Sequence, residues 1–277
     1  MRLGVSSSLN TNSPEEWAGT HSALGCKSVV FPLDCKADRG LVDEYVQAAR
    51  ENNLMIAEVG IWRNAISQDD SERLENMKFS IGQLELADYI GARCCVNVAG
   101  AAGAPGCRWD GGYRENFSPE AWNKTVTMVQ KVIDEVRPTK TYFALEPMPW
   151  MYPSSPEEYL RLIDDVGRDR FAVHMDIINM TFTPERFFFP EKFLENVFTK
   201  LGTRIRSCHI KDIRLLPGYT FQLEECACGQ GVYPLEEYVR YIDVLDCEMP
   251  VIIEHLKNDE EYYASMKYVK GRLEDGK

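Results

Sequence analysis

The chain has 277 residues, 44% of them hydrophobic, which is enough to bury a sizeable core and suits either two ordinary domains or one α/β barrel. A formal charge of −12 and a pI near 4.9 argue against a nucleic-acid binder, which neutralises phosphates with basic side chains, and no apolar run approaches the roughly 20 residues of a membrane span. The nine cysteines form neither a paired CxxC zinc pattern nor a short secreted framework, and the start MRLGVSSSLN lacks the basic and apolar regions of a signal peptide. A soluble, cytoplasmic protein with reduced thiols is expected.

Strand and helix signals then alternate eight times. RLGVSSS (2–8) reads as a strand, and Ser13, Pro14 and Glu16 open a helix in a capping-box pattern. SVVFPL is a second strand, followed by a helix over 38–52 with Leu41, Tyr45, Val46 and Ala49 at helical spacing. LMIAEVG, with Glu58 near its end, is the third strand, and a long helix covers 70–90. RCCVNVAG is the fourth, leading into a long loop (99–116) of the kind that often covers an active site. Ser118 and Pro119 start a helix to about 136, TYFALE is the fifth strand, and SSPEEYLRLIDDV the next helix. FAVHMD is strand six, PEKFLENVFTKLG a helix with Gly202 as its C-terminal cap, and RIRSCHI strand seven. A long loop (211–233), the helix PLEEYVRYIDVL, the strand PVIIEHL and a last amphipathic helix complete the chain. This alternation predicts a single (β/α)₈ barrel over residues 1–277. An open doubly wound sheet is disfavoured because the first strand-to-helix turn lacks a GxGxxG cradle.

In a parallel barrel the strand ends converge on one mouth. Glu146, Asp176, His209 and Glu254 end strands five to eight. A carboxylate in such an apolar run must be paired, protonated or metal-bound, because burying it alone costs several kcal/mol, on the order of magnitude known for unpaired polar groups. Three oxygen donors with one imidazole favour Mn²⁺ or Mg²⁺ and are compatible with Zn²⁺, Co²⁺ and Fe²⁺.

The ligand order Glu, Asp, His, Glu and the motif HIKD at His209 to Asp212 resemble the xylose isomerase-like barrels, the sugar phosphate isomerase/epimerase superfamily, over nearly the whole chain. The resemblance implies one divalent metal on Glu146, Asp176, His209 and Glu254, Mn²⁺ first among the candidates, with Glu146 and Glu254 also moving protons beside a sugar carbonyl. The sequence departs from the ketose 3-epimerases of that group: Asn179 stands where they carry His, Leu215 where they carry Arg, and PMPWMYP follows the strand-five Glu. LEPMPWMYP and QLEECACGQG resemble the α-subunit of bacterial C-glycoside deglycosidases, which implies a lyase on 3-oxo-glycosides with a small β-sandwich partner subunit. An isomerase or epimerase of ketoses is the alternative. Self-association is also implied.

Lys211, two residues after His209, is expected to face the same way, either neutralising an enolate or pairing with a ligand carboxylate. Asn97, Asn179 and Glu58 are expected to bind substrate, with an ion pair as the other reading of Glu58. Trp62, Trp109, Trp150 and Tyr152 lie in mouth loops and either stack on a sugar or aglycone or pack the mouth. His174 and His21 read as core histidines, and His255 is expected to face the helices because Glu254 faces inward. Two other classes remain open. An endonuclease IV-like phosphodiesterase needs more ligands and a basic face, and a non-catalytic metal-binding subunit is disfavoured by the intact ligand set.

Overall fold

A computed structural model describes residues 1–6 and 13–275 of the chain; Ser7 and Ser8, predicted to extend the first strand, lie outside the described residues. In chain order the strands are β1 (Arg2–Val5), β2 (Ser28–Val30), β3 (Met55–Gly60), β4 (Cys94–Asn97), β5 (Tyr142–Leu145), β6 (Phe171–Asp176), β7 (Ile205–Ile210), β8 (Asp212–Leu215), β9 (Leu223–Cys226) and β10 (Pro250–Ile253). The helices are α1 (Pro14–Ala23), α2 (Arg39–Glu51), α3 (Asp70–Ile90), α4 (Pro119–Val136), α5 (Pro156–Val166), α6 (Ile177–Met180), α7 (Pro184–Phe188), α8 (Pro190–Leu201), α9 (Leu235–Leu245) and α10 (Asp259–Asp275).

Eight of the strands form one parallel sheet in the order β1-β10-β7-β6-β5-β4-β3-β2. Its two ends meet: the Lys27 N–H donates to the Leu3 carbonyl at 2.7 Å and the Ser28 hydroxyl to the Arg2 carbonyl at 2.8 Å. A side chain at Gly4 would bring its Cβ within 2.2 Å of the Ser28 carbonyl oxygen, so only glycine lets the seam close. The result is a nearly closed (β/α)₈ barrel, as predicted.

The helix starts follow their caps. Ser13, Ser118 and Ser155 each accept the N–H three residues on, of Glu16, Ala121 and Glu158, with proline at the first helical position. Alternation along the strands then sorts inward from outward residues. Cys94, Val96, Ala144 and Ala172, on the parity that also carries Glu146 and Asp176, form a small buried cluster inside the barrel. The larger apolar side chains of the opposite parity, among them Phe143, Leu145, Val173 and Met175, pack between strands and helices.

Three expectations are corrected. The 211–233 segment is not an open loop: β8 and β9 pair antiparallel, Asp212 with Cys226 through Leu215 with Leu223. The connection after β6 contains α6 and α7. On α2 the buried stripe runs through Val42, while Leu41 is 38% exposed. Gly202 is the C-cap of α8, as expected, in a right-handed conformation (φ −45°) that continues into a 3₁₀ turn at Gly202–Arg204.

The hairpin is moored by the last residue of HIKD. Asp212 is 1% exposed and its carboxylate accepts the N–H groups of Ile213 (2.9 Å), Tyr233 (3.0 Å), Gly229 (3.0 Å) and Gly231 (3.1 Å). A Cβ at Gly231 would lie 2.3 Å from Asp212 Oδ1.

At the opposite end, Asp88 on α3 accepts the N–H groups of Thr139, Lys140 and Thr141 at 2.8, 2.6 and 3.0 Å, fixing the entry to β5. Burial alone would raise its pKa, but these donors outweigh burial and hold it below the ordinary carboxylate value. Asp88→Asn is expected to lower stability by about 1–2 kcal/mol at pH 7, a modest figure because water reaches the site. A depressed folded-state pKa makes this contribution fully present above the unfolded value near ~3.9 and lost as pH falls through the folded one. Urea unfolding midpoints of variant and parent should therefore converge in acid; a gap that persists there would mean the loss is not electrostatic.

Candidate metal centre and active site

Glu146 follows β5, Asp176 ends β6, His209 lies one residue from the end of β7, and Glu254 follows β10. Strand parity turns all four inward, and they are 4%, 0%, 2% and 5% exposed. One ligand atom from each lies within 4.8 Å of all the others. His209 Nδ1 is 2.8 Å from Glu254 Oε2 and 3.6 Å from Glu146 Oε1, yet it makes no hydrogen bond. Asp176 uses Oδ1 to cap α6 through the Asn179 N–H (3.0 Å), while Oδ2, 2.8 Å from Lys211 Nζ, has no partner in hydrogen-bonding geometry. Buried atoms crowded together but unsatisfied are what a shared cation would satisfy, and three carboxylates with one imidazole suit a hard divalent ion.

Lys211 is 1% exposed. Its ammonium lies 2.8 Å from Asp176 Oδ2, 2.8 Å from Glu254 Oε1 and 3.0 Å from Glu225 Oε1 on β9. Its charge thus goes to ligand carboxylates. Glu58 is 2% exposed, with Oε1 3.3 Å from His209 Nε2 and Oε2 3.7 Å from His174 Nδ1. It sits behind His209, where it orients the ring and leaves Nδ1 for the centre. His174 is a core residue, 2.6 Å from the Ser207 hydroxyl, and His21 contacts the Trp17 carbonyl at 2.8 Å.

These neighbours give the two glutamates different characters. Burial, and then the charge of Glu254, push the Glu146 carboxyl up to about 7. Burial would raise Glu254 as well, but His209 and Lys211 outweigh it and hold that carboxyl well below its ordinary value. Burial, only partly offset by Lys211, raises Asp176. His209 and Lys211 would be lowered by burial, but the surrounding carboxylates keep both well above their usual values.

The remaining predicted residues separate into two groups. Asn179 donates from Nδ2 to Glu146 Oε1 at 2.8 Å, and Trp62 and Trp109 wall a chamber of about 440 Å³ that reaches Glu58, Glu146, His209 and Glu254. Trp150 lines a second chamber of about 570 Å³ alongside. Asn97 is fully buried beneath the loop after β3, accepting from the Arg63 N–H (3.2 Å) and donating to its carbonyl (3.0 Å). Tyr152 packs edge-on against Trp122 and donates to the Phe117 carbonyl at 3.0 Å, away from both chambers.

His255 departs from expectation. A left-handed backbone (φ 58°) breaks the strand alternation, so the ring lines the mouth instead of facing the helices, with Nδ1 2.9 Å from Glu225 Oε2. Glu225 and His255 were missed for related reasons. The first lies on an unrecognised hairpin and the second past a strand end. The available signal was the turn pair Pro217-Gly218 between the short runs DIRL and LEEC.

A (β/α)₈ barrel with a buried Glu, Asp, His, Glu set at its mouth defines the class. Residues 21–272 match the family model, and the chain belongs to the xylose isomerase-like TIM barrel family. No curated protein matches its sequence at a significant level. Among solved structures it resembles a xylose isomerase-like TIM barrel protein from Mycobacterium smegmatis in complex with magnesium (17% identity, TM-score 0.70, covering 94% of this chain and 89% of that one). It also resembles 3-keto-D-glucoside 4-epimerase YcjR from E. coli (14%, 0.72, 99% of each chain) and D-psicose 3-epimerase from Clostridium cellulolyticum H10 with D-tagatose (13%, 0.71, 99% of each). At these identities the likeness is one of fold.

Protein loaded with Mn²⁺ and desalted is expected to retain one ion per chain, and His209→Ala to lose it. Loading to 100 times the dissociation constant should raise stability by about 2.7 kcal/mol, reversed by a chelator. Elemental analysis with thermal melts checks both, and unchanged metal content in the variant would remove the assignment.

Proposed function

We propose that this protein is a divalent-metal-dependent enzyme that removes a proton from the carbon next to the carbonyl of an oxo-sugar or 3-oxo-glycoside. The observation that carries this reading is the pair of buried glutamates, Glu146 and Glu254, on one centre but in unlike surroundings. A divalent ion held by Glu146, Asp176, His209 and Glu254, Mn²⁺ in the first instance, would polarise the carbonyl and offset charge developing on its oxygen. Glu254, flanked by Lys211 and His209, and Glu146, which accepts the Asn179 amide at 2.8 Å, are the two carboxylates placed to take and return the proton. Lys211 offsets the charge of Glu254 and Asp176 in this buried site. The walls of Trp62 and Trp109 exclude water and offer ring faces to a sugar.

Two outcomes share this step. We favour elimination: the electron pair released from the C–H bond forms a double bond to the β-carbon, and the aglycone leaves with its bonding electrons and takes up a proton. The replacement of the epimerase-type His by Asn179, and the second chamber beside the first, support it. Return of the proton to the opposite face gives epimerisation, the reading favoured by the two neighbours named as epimerases.

The chain is proposed to act as a single cytoplasmic domain on small molecules; among the described residues no helix is long and apolar enough to cross a membrane. We also propose self-association or a small partner subunit. The adjacent Phe188 and Phe189, 59% and 61% exposed, offer an apolar contact. Light scattering showing only monomer at micromolar concentration, together with no subunit captured from the native host, would count against it.

Glu146→Gln and Glu254→Gln each keep size and a neutral oxygen donor. Each is expected to slow deuterium entry from heavy water beside the carbonyl by about 10²- to 10⁴-fold while metal is retained. Lys211→Met should likewise keep the ion and lose rate. Exchange kinetics on a panel of oxo-sugars, read with metal content, test this, and full activity in both Gln variants would make the glutamates structural ligands only.

A further inference from the structure

We propose that His255 binds an outward hydroxyl of the oxo-sugar held at the metal centre, and that Glu225, reaching in from the β8–β9 hairpin, is its positioning residue. This rests on the function proposed above, but on residues that the proton transfer does not use.

Backbone conformation singles out His255 first. Among the described residues, four that are not glycine have positive φ: Asn53 (54°), Trp62 (50°), Arg137 (52°) and His255 (58°). Asn53 and Arg137 lie just past α2 and α4, where a left-handed residue commonly ends a helix. Trp62 and His255 end no helix. Each stands two residues past a strand, β3 and β10, and both line the chamber of about 440 Å³ that reaches Glu146, His209 and Glu254. Left-handed backbone is costly for a residue with a side chain, and such residues gather at sites that need a side chain aimed against the run of its element. The His255 side chain is 56% exposed, so packing does not offset that cost.

The ring is then fixed from the hairpin. Its Nδ1 lies 2.9 Å from Glu225 Oε2, while Glu225 Oε1 is 3.0 Å from the Lys211 ammonium, which Asp176 and Glu254 hold in turn at 2.8 Å each. Nδ1 also lies 3.3 Å from Lys211 Nζ, but the shorter contact makes it the donor to Glu225. Nε2 is left with no partner among the described residues. A hydroxyl both donates and accepts, so it can bond that nitrogen with or without a proton on it. A ring already held makes the bond with little further loss of freedom. The group bound is uncharged. Glu225 and Glu254 flank the ring, Asp110 lines the same chamber, and Arg108 is already paired with Asp110 at 2.5 Å, so an anionic group would meet carboxylates.

D-tagatose and methyl 3-oxo-β-D-glucoside, titrated calorimetrically into the Mn²⁺-loaded protein, test the proposal. For whichever binds the parent more tightly, His255→Gly and Glu225→Ala are each expected to weaken binding about tenfold, the effect of one hydrogen bond. The double variant should lose no more than His255→Gly alone, because both changes remove the same contact. Glu225→Gln, whose amide oxygen still accepts from Nδ1, should recover most of the affinity lost in Glu225→Ala. His255→Gly should also keep its metal and melt no lower than the parent, since glycine adopts positive φ without strain. Unchanged affinity, metal loss or a lower melting temperature in His255→Gly would overturn the assignment. So would a double variant weakened about a hundredfold, the additive outcome, or binding of neither probe to the parent. Deuterium exchange into the same two oxo-sugars is scored separately. Exchange with unchanged affinity in His255→Gly refutes this inference alone, and tenfold weaker binding without exchange into either oxo-sugar leaves His255 a binding residue while refuting the proton-abstraction reading.

Discussion

The mouth of the barrel concentrates negative charge where water is scarce. Glu58, Glu146, Asp176 and Glu254 are all nearly buried, and each carboxylate withdrawn from water carries a penalty of several kcal/mol, an order-of-magnitude figure for ions in proteins. The neighbouring structure reads as a set of responses to that penalty. Lys211 is buried among three carboxylates although lysine rarely tolerates burial, His209 stands between Glu58 and Glu254, and Asp176 spends one oxygen on the first turn of α6. A divalent cation is the remaining counter-charge that the donor set accommodates.

This arrangement depends on what lies beneath it. Strand parity cannot turn four ligands inward without turning inward every second residue below, and a closed barrel has little room there. The small Cys94, Val96, Ala144 and Ala172 fill that space, and the polar layer of Glu58, His174 and Ser207 sits between them and the ligands. The ligand cluster and the narrow interior are thus one geometric solution, with Gly4 at the seam meeting the same demand for close approach.

Features governed by local rules were legible in the sequence. α3 and β6 have the bounds read from the sequence; the Asp69 N-cap and Gly91 stop of the one and the uninterrupted apolar run of the other each act within a few residues. The four candidate ligands were visible because strand ends in a parallel barrel share one mouth. What escaped was set by longer-range or less common backbone choices. His255 was aimed outward by an alternation that its own left-handed φ interrupts. Asn97 has the parity opposite to the inward Cys94 and Val96, so contrary to expectation it does not face the barrel interior, and its amide goes to the Arg63 backbone, a partner 34 residues away that no local pattern announces. The β8–β9 hairpin was hidden because its strands carry charged residues on exposed positions and give little apolar contrast.

The base of that hairpin is gathered by one buried carboxylate, three residues beyond His209. The four N–H groups gathered by Asp212 fix its base, whereas its tip at Pro217 to Thr220 stands in solvent with Tyr219 fully exposed. Substitutions at the tip therefore have little leverage on the candidate metal ligands. Such a scaffold can change what its mouth presents by remodelling a tethered flap while leaving the candidate ligands in place, and the short motif HIKD contributes both one of those candidates and the tether.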